Sequence, residues 1–262
     1  MKSSSIYTPT VILMAVAAGI CSGSNYFSQP LIHSMAVALH LSETTVAWVP
    51  TLAQIAYASG LLLLMPLGDI LEKRRLLFIL MLLASLGLLI SGFSSQIGWI
   101  MFGTLITGLF SVSAQLLLPL AASLVPIQHS GRVVGFLISG LMIGILLARS
   151  LSGLMSTLFA WNIIYQISGF LLLIIAVVLY NKIGSFPATQ SESYFKTIRS
   201  IPVIFKQNQR LRRRTYIGFL TFAGISMTFT TMSLLLAPAP YYFSDFTIGL
   251  FGFVGIIGTF IA

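Results

Sequence analysis

The chain has 262 residues, of which 57% are hydrophobic and only 7% are charged. Soluble domains carry about 25% charged residues, so this composition excludes an ordinary soluble fold. The formal net charge of +9 has the sign that a nucleic-acid partner would need, but the positions of the basic residues point to a membrane instead. One cysteine, Cys21, excludes a disulfide within the chain.

Eight apolar segments follow one another along the chain. A membrane-spanning helix needs about 20 mainly apolar residues. Continuous apolar runs, without alternation of polar and apolar residues, predict helices and not barrel strands. We therefore predict an all-α integral membrane protein. The segments, numbered span 1 to span 8, are predicted at residues 10–32, 45–67, 76–94, 98–125, 132–156, 161–181, 214–237 and 246–262.

Lysine and arginine residues lie almost entirely on one side of the predicted membrane. With the N-terminus in the cytoplasm, 13 of the 14 basic residues fall in cytoplasmic segments, and the external loops hold none. The remaining basic residue, Arg149, lies within span 5. This bias is typical of a multi-pass protein with a cytoplasmic N-terminus. We interpret the basic segments as topology anchors that contact anionic lipid, and expect no nucleic-acid partner.

One long polar segment divides the chain. Residues 183–213 are interrupted by Gly184, Pro187 and Pro202, and their middle is predicted to hold a short amphipathic helix. The predicted organisation is a six-span N-terminal half at 1–182, a basic cytoplasmic linker at 183–213, and an incomplete C-terminal half at 214–262.

A short internal repeat relates the two sides of the linker. Ser42-Glu43 precedes span 2 and Ser244-Asp245 precedes span 8, 202 residues later. At each place a hydroxyl and an acid can cap the start of a helix. Parallel repeats are typical of transporter halves, and twice this offset predicts an intact length of about 400 residues. We therefore expect the chain to stop within span 8, and the 262-residue chain to be inactive in transport by itself.

The loop between spans 2 and 3 carries the most specific motif. Asp69, Lys73 and Arg74 match a G-x-x-x-D-R-x-G-R-R signature. The loop departs from it at three positions, which are occupied by Met65, Ile70 and Glu72. With its six spans, basic linker and internal repeat, the chain resembles the major facilitator superfamily, and above all its bacterial drug- and sugar-efflux antiporter branch.

This resemblance implies transport of a small solute by alternating access, with proton-coupled efflux as the expected mode, in a bacterial inner membrane. In the family, the loop between spans 2 and 3 clasps the two halves together on the cytoplasmic side. Asp69, Lys73, Arg74 and Arg75 are therefore the predicted gating residues. A capped turn with topology anchors is the alternative interpretation of the same loop.

Two further family features concern spans 4 and 5. The family's arginine in span 4 stands four residues before a glycine, and here Thr104 occupies that place before Gly108. Span 5 is rich in glycine at spacings that allow close helix packing. The resemblance implies that span 5 packs against span 8. Its predicted packing residues are Gly135, Gly140, Gly144 and Gly153.

Arg149 is the chief functional candidate. A charged side chain within the membrane costs at least about 2.5–3.5 kcal/mol, and the spans of the six-span half contain no Asp or Glu. Arg149 must then face a water-filled cavity, a cluster of carbonyl groups, further helices or an anionic group of the solute. The structural alternative is a side chain that extends to the external surface.

Uncharged polar residues in neighbouring spans form a second set. Asn25 and Gln29 in span 1 lie at a height similar to that of Gln54 and Tyr57 in span 2, and Gln115 in span 4 lies farther inward. The resemblance implies that spans 1, 2, 4 and 5 line the central cavity. These residues are candidates for contact with the solute, and hydrogen bonds between helices are the alternative.

His33, at the external end of span 1, is the candidate proton carrier, because histidine exchanges a proton near physiological pH. An interfacial histidine without such a role is the alternative. The sequence has no metalloprotease, hydrolase or phosphate-binding motif, so we expect neither an enzyme nor a metal or cofactor. The expected partners are a small solute, a proton and membrane lipid. A non-functional remnant or a multi-pass interaction protein is the alternative function.

Overall fold

The computed structural model describes residues 9–186 and 194–251. In these residues all regular elements are helices, which confirms the predicted all-α class. The α-helices, labelled in chain order, are α1 Pro9–Gly23, α2 Ile32–Leu39, α3 Glu43–Val46, α4 Trp48–Leu63, α5 Leu67–Ile70, α6 Lys73–Phe93, α7 Ile97–Phe110, α8 Ser113–Ser123, α9 Ile127–Leu158, α10 Ile163–Lys182, α11 Tyr194–Gln207 and α12 Gln209–Leu236.

Six helical segments of the described residues are long and apolar enough to cross a membrane. They correspond to spans 2 to 7. The segment Glu43–Ile70 combines α3, α4 and α5, and the segment Ile97–Ser123 combines α7 and α8. The segments are Glu43–Ile70, Lys73–Phe93, Ile97–Ser123, Ile127–Leu158, Ile163–Lys182 and Gln209–Leu236.

Span 1 is interrupted, whereas the sequence predicted one helix over 10–32. After α1 a 3-10 turn covers Ser24–Tyr26, and α2 begins only at Ile32. Pro30 lies in the interruption and cannot donate a backbone hydrogen bond. The Ser24 hydroxyl donates to the Cys21 carbonyl oxygen at 2.8 Å. Irregular backbone at membrane depth is tolerated where protein surrounds it, and here it brings polar side chains into the bundle.

Spans 1 to 6 pack into one bundle, which we call the six-span bundle. α1 packs mainly on α9, α6 lies between α7 and α10, and α4 packs on α7. Large apolar side chains from different helices fill its centre, and several of them are fully enclosed. Examples are Met14, Leu80, Leu117, Leu137 and Leu172.

The contact between α1 and α9 depends on glycine. A Cβ atom added at Gly19 would lie 2.8 Å from the Gly140 carbonyl oxygen, and one added at Gly23 would lie 2.7 Å from the Gly144 oxygen. Such close approach of two backbones requires small residues. By contrast, a Cβ at Gly135 would meet no atom of the described residues within 4 Å.

The linker contains α11, which confirms the predicted amphipathic helix. The Tyr194 hydroxyl donates to the Leu63 carbonyl oxygen at 2.9 Å. α12 then begins at Gln209, before the predicted start of span 7, because the Asn208 side chain caps the Leu211 N–H group at 3.1 Å. Residues 245–251 are helical and include the start of span 8. The rest of the predicted span, 252–262, lies outside the described residues.

Candidate functional site

Arg149 lies inside the protein at the meeting point of spans 1, 5 and 7. Its side chain is only 4% exposed. The Nε group donates to the Gln29 side-chain oxygen at 2.9 Å. In the described part of the chain, no carboxylate lies within salt-bridge distance of this guanidinium, and no hydrogen bond reaches its two terminal nitrogens. Arg149 is therefore a buried cation with one amide partner.

Two aromatic rings flank the guanidinium group. Its central carbon lies 4.6 Å from the centre of the Tyr26 ring and 4.0 Å from the centre of the Phe229 ring. A cation over an aromatic face gains about 0.5–2 kcal/mol, the upper end applying to desolvated pairs. The rings thus offset part of the cost of burying Arg149, while leaving its charge without a counter-ion.

Three of the amide candidates gather at the break in span 1. The Asn25 side-chain amide donates to the Ser111 hydroxyl at 2.8 Å, and the Gln54 amide approaches the Asn25 carbonyl oxygen at 3.5 Å. Gln29 follows one turn later and is almost fully enclosed. The interruption of the helix is thus what places Asn25, Gln29, Gln54 and Arg149 in one polar layer.

Tyr57 and Gln115 form a separate pair. The Gln115 amide donates to the Tyr57 hydroxyl at 3.2 Å, joining span 2 to span 4. The Ser113 hydroxyl lies next to them in span 4 and donates to the Cys21 sulfur at 3.2 Å. Within the described residues, no hydrogen bond or ring contact joins this pair directly to Arg149, so the six candidates divide into a layer of four and a pair.

A groove of about 420 Å³ separates α4 from α12. Gln29 lines it, so the residue that binds Arg149 also faces this space. The Ser226 hydroxyl is buried there and has no hydrogen-bond partner among the described residues. The polar residues that line the groove are Gln29, Thr51, Gln54, Ser226, Thr230 and Thr231.

The ends of the spans opposite the loop between spans 2 and 3 carry two acidic residues with different partners. His33 Nδ1 lies 2.6 Å from the Glu43 carboxylate, and both side chains are partly exposed. Asp245 is buried and accepts hydrogen bonds from the Ser34 and Ser156 hydroxyls. Neither acid contacts the Arg149 side chain. The candidate proton carrier, His33, therefore pairs with the first residue of α3.

The start of span 8 packs on span 5 through glycine. A Cβ atom at Gly153 would collide with the backbone of Asp245, and one at Gly249 would meet the Arg149 carbonyl oxygen. The Ser150 hydroxyl donates to the Gly249 carbonyl oxygen at 3.1 Å. Gly140 and Gly144 instead face α1, so in the described residues only the outer end of the glycine-rich helix approaches span 8.

The loop between spans 2 and 3 is organised around Glu72. Its carboxylate accepts hydrogen bonds from the N–H groups of Arg75 at 2.7 Å, Phe186 at 3.1 Å and Arg74 at 3.2 Å. Burial alone would raise the pKa of Glu72, but these bonds outweigh it and hold the pKa below its usual value. Glu72 therefore caps α6 and also binds the chain that follows span 6.

The four predicted gating residues lie at the same end of the molecule. Asp69 is exposed on α5. The Lys73 backbone N–H donates to the Phe186 carbonyl oxygen at 3.1 Å, and the Arg74 guanidinium lies 4.1 Å from the centre of the Tyr180 ring. Arg75 is exposed. The side chain of Asp69 makes no hydrogen bond or ion pair with the described residues, and is free to contact another element.

A family model of the Major Facilitator Superfamily matches residues 14–262. The chain is 41% identical over 240 residues to "Uncharacterized transporter YgaY" of Escherichia coli O157:H7, which covers 92% of this chain and 61% of the relative. It is 24% identical over 269 residues to a "Probable sugar efflux transporter" of Helicobacter acinonychis, covering 96% of this chain and 64% of that relative. The chain thus spans less than two thirds of the length of either relative.

The fold is also found among solved structures of transporters. One is a crystal structure of a mutant of the peptide transporter POT in complex with alafosfalin, with a TM-score of 0.60. The two sequences are 13% identical, and the match covers 88% of this chain and 52% of that protein. At this identity the likeness concerns the helical architecture alone.

Proposed function

Since the chain belongs to the Major Facilitator Superfamily of transporters, we propose that it exports a small solute from a bacterial cell in exchange for protons. The proposed route is alternating access, in which two helical halves move against each other around a site near the middle of the membrane. The proposed setting is the inner membrane, with the N-terminus in the cytoplasm.

The environment of Arg149 is the observation that carries this proposal. A buried cation with no acidic partner in the described residues is costly, and a solute that supplies an anionic or acceptor-rich group would offset that cost. Gln29 connects the cation to the groove, because it accepts the Arg149 hydrogen bond and lines the groove as well. The polar layer is thus suited to hold the charged end of a solute.

The proposed solute is small, rich in hydroxyl groups, and carries an acidic or acceptor-rich group. Hydroxyl and amide side chains lie on both sides of the groove, among apolar residues such as Phe219 and Phe222, and such polar groups exchange hydrogen bonds with hydroxyl groups of a ligand. The name of the Helicobacter relative, a sugar efflux transporter, supports the same class. Acidic sugar derivatives combine both properties.

On the cytoplasmic side, the proposed gate is the loop that carries Asp69, Lys73, Arg74 and Arg75. An exposed acid beside three basic residues can form charge-assisted hydrogen bonds with a facing helical half. Glu72 fixes this loop to the segment after span 6. The gate would therefore move with the six-span bundle as one piece.

A transport assay tests the proposal. Two proteins are compared in inside-out membrane vesicles: the 262-residue chain, and a chimera that continues from Ala262 with the remaining C-terminal part of the Escherichia coli relative. A panel of labelled neutral and acidic sugars is offered, with and without an imposed pH gradient. We expect saturable uptake of an acidic member by the chimera, dependent on the gradient.

We expect no uptake by the 262-residue chain, because alternating access needs two halves that rock against each other. Uptake by the chimera that ignores the gradient would contradict proton exchange. If neither protein moves any member of the panel although both insert into the membrane, the chain is better regarded as a remnant or an interaction protein.

A further inference from the structure

Asp245 joins three spans at the external end of the protein. It lies at the start of the helix over 245–251. Its Oδ2 atom accepts a hydrogen bond from the Ser34 hydroxyl of α2 and another, at 2.6 Å, from the Ser156 hydroxyl of α9. Ser34 is 211 residues away in the chain and Ser156 is 89. One side chain thus fastens the start of span 8 to spans 1 and 5.

This carboxyl group is buried without a cation. Asp245 is 6% exposed, and no lysine, arginine or histidine nitrogen of the described residues lies within 4.0 Å of it. Burial in a site of this kind disfavours the charged form of a carboxyl group. Both hydroxyl donors reach Oδ2, so Oδ1 remains available to carry a proton.

The other charged groups near Asp245 are arranged differently. His33 on α2 is close enough to interact electrostatically with Asp245, but its Nδ1 lies 2.6 Å from the Glu43 carboxylate. Arg149 on α9 contributes its backbone to the packing of Gly249, while its guanidinium points to Gln29 and the two rings. Neither side chain forms an ion pair with the Asp245 carboxyl group, so binding of a proton would remove its charge without a counter-ion.

The backbone of α9 packs closely against the start of span 8 around Asp245. Gly153 leaves room for the Asp245 backbone, and Ser150 binds the Gly249 carbonyl oxygen at 3.1 Å. Ile248, one turn after Asp245, is 3% exposed. In alternating access, opening of the external side would separate the start of span 8 from this surface and hydrate Asp245 and Ile248 together.

We propose that Asp245 is a proton-binding residue that closes the external side. In the open state it takes a proton from the external solution, and the neutral carboxyl group then returns between Ser34 and Ser156. Loss of the proton gives a carboxylate that is more stable in water, which favours the open state. This proposal rests on the proposed alternating access, and it assigns the proton site to span 8 and not to His33.

The test measures how accessible the start of span 8 is at different pH values. The purified chimera, carrying Cys21→Ala, the reporter substitution Ile248→Cys and no cysteine in the part taken from the relative, is placed in lipid nanodiscs and labelled with a maleimide. A second protein carries Cys21→Ala and Tyr242→Cys, because Tyr242 is 75% exposed in the preceding loop. The ratio of the two labelling rates removes the intrinsic pH dependence of the thiol reaction.

We expect the ratio to fall about ten-fold between about pH 8 and pH 5.5, since one proton can shift an equilibrium by at most about ten-fold per pH unit. Asp245→Asn imitates the neutral carboxyl group, so the ratio should stay low at both pH values. The controls are His33→Asn and Glu43→Gln, and both should keep the pH dependence.

A ratio that does not change with pH, or whose pH dependence survives Asp245→Asn, would overturn the proposal. Loss of the pH dependence in His33→Asn alone would return the proton site to His33. Labelling does not require transport, so the two proposals can fail separately: transport without a pH-dependent ratio rejects only the role of Asp245. A pH-dependent ratio without transport rejects only the proposed function.

Discussion

The six-span bundle and the C-terminal segment over 209–251 are held in different ways. In the bundle, apolar side chains from all six spans interlock, and α1 lies against α9 with only glycine between the backbones. α12, by contrast, has a single buried residue, Ser233. The C-terminal segment meets the bundle at its outer end, through Phe229 on Arg149 and through Asp245.

The two kinds of contact are expected to serve different purposes, one the stability of the fold and the other transport. Contacts within the bundle are extensive and apolar, so they decide whether the protein assembles. Contacts between the bundle and α12 are fewer, and those near Arg149 and Asp245 include buried polar and charged groups, so we expect them to form and break at a smaller cost in free energy. We therefore expect substitutions in the bundle to change folding, and substitutions at the outer contacts to change transport while folding is preserved.

The largest effect is expected for Gly144→Leu in the bundle. A Cβ atom added at Gly144 would collide with the Cα atom of Gly19 in α1, so a leucine there has no space. Overpacking costs about 1–3 kcal/mol and sometimes more, which we expect to remove most of the folded protein. The measurement is the yield of monodisperse protein in detergent and its melting temperature.

Gly135→Leu is the matched control, because it lies on the same helix and a Cβ there meets no described atom within 4 Å. Both substitutions raise helix propensity equally. The comparison between the two regions fails if the Gly144 and Gly135 variants have the same yield and melting temperature, because the glycine contact would then contribute nothing to assembly.

A smaller effect is expected for Glu72→Gln, which weakens a polar contact at the edge of the bundle. Loss of a capping interaction costs about 1 kcal/mol, so the melting temperature should fall slightly with no loss of yield. The pKa of Glu72 is lowered in the folded state. The stabilisation is therefore complete above the usual pKa of a glutamate and is lost as the pH falls through the lowered value.

Thermal melts at several pH values check this sign. The stability difference between the parent and Glu72→Gln should be largest near neutral pH and should vanish in acid. Asp69→Asn, at an exposed position in the same loop, should leave the melting temperature unchanged at every pH. A difference that grows in acid would contradict the capping role of Glu72.

Sequence patterns predicted the helices well, because apolar runs of membrane length leave few alternatives. They missed the break in span 1, although Pro30 and the serines around Gln29 were signals of it. The sequence patterns also could not predict which helix each glycine of α9 packs against. Gly140 and Gly144 share a spacing with Gly153, but which helix each one faces depends on the arrangement of the whole bundle.

The sequence identified Arg149 as the main residue of the candidate site, but it did not predict which side chains contact the site. Arg149 was evident as a charge inside a span. Phe229 was missed, because one phenylalanine among many in apolar spans carries no distinguishing signal. The hydroxyl partners of Asp245 were equally hidden, since Ser34 and Ser156 are distant in the chain and serine is common in membrane helices.

The most direct test of the central claim is the initial rate of solute uptake by the chimera carrying Arg149→Gln. The matched control is Arg132→Gln, at an exposed position in the second turn of α9. Loss of one buried, charge-assisted contact costs about 3 kcal/mol, which corresponds to a rate about 100-fold lower. We expect that loss for Arg149→Gln, with normal membrane insertion and a normal rate for Arg132→Gln. Equal rates for both variants would contradict the account and leave Arg149 a structural residue.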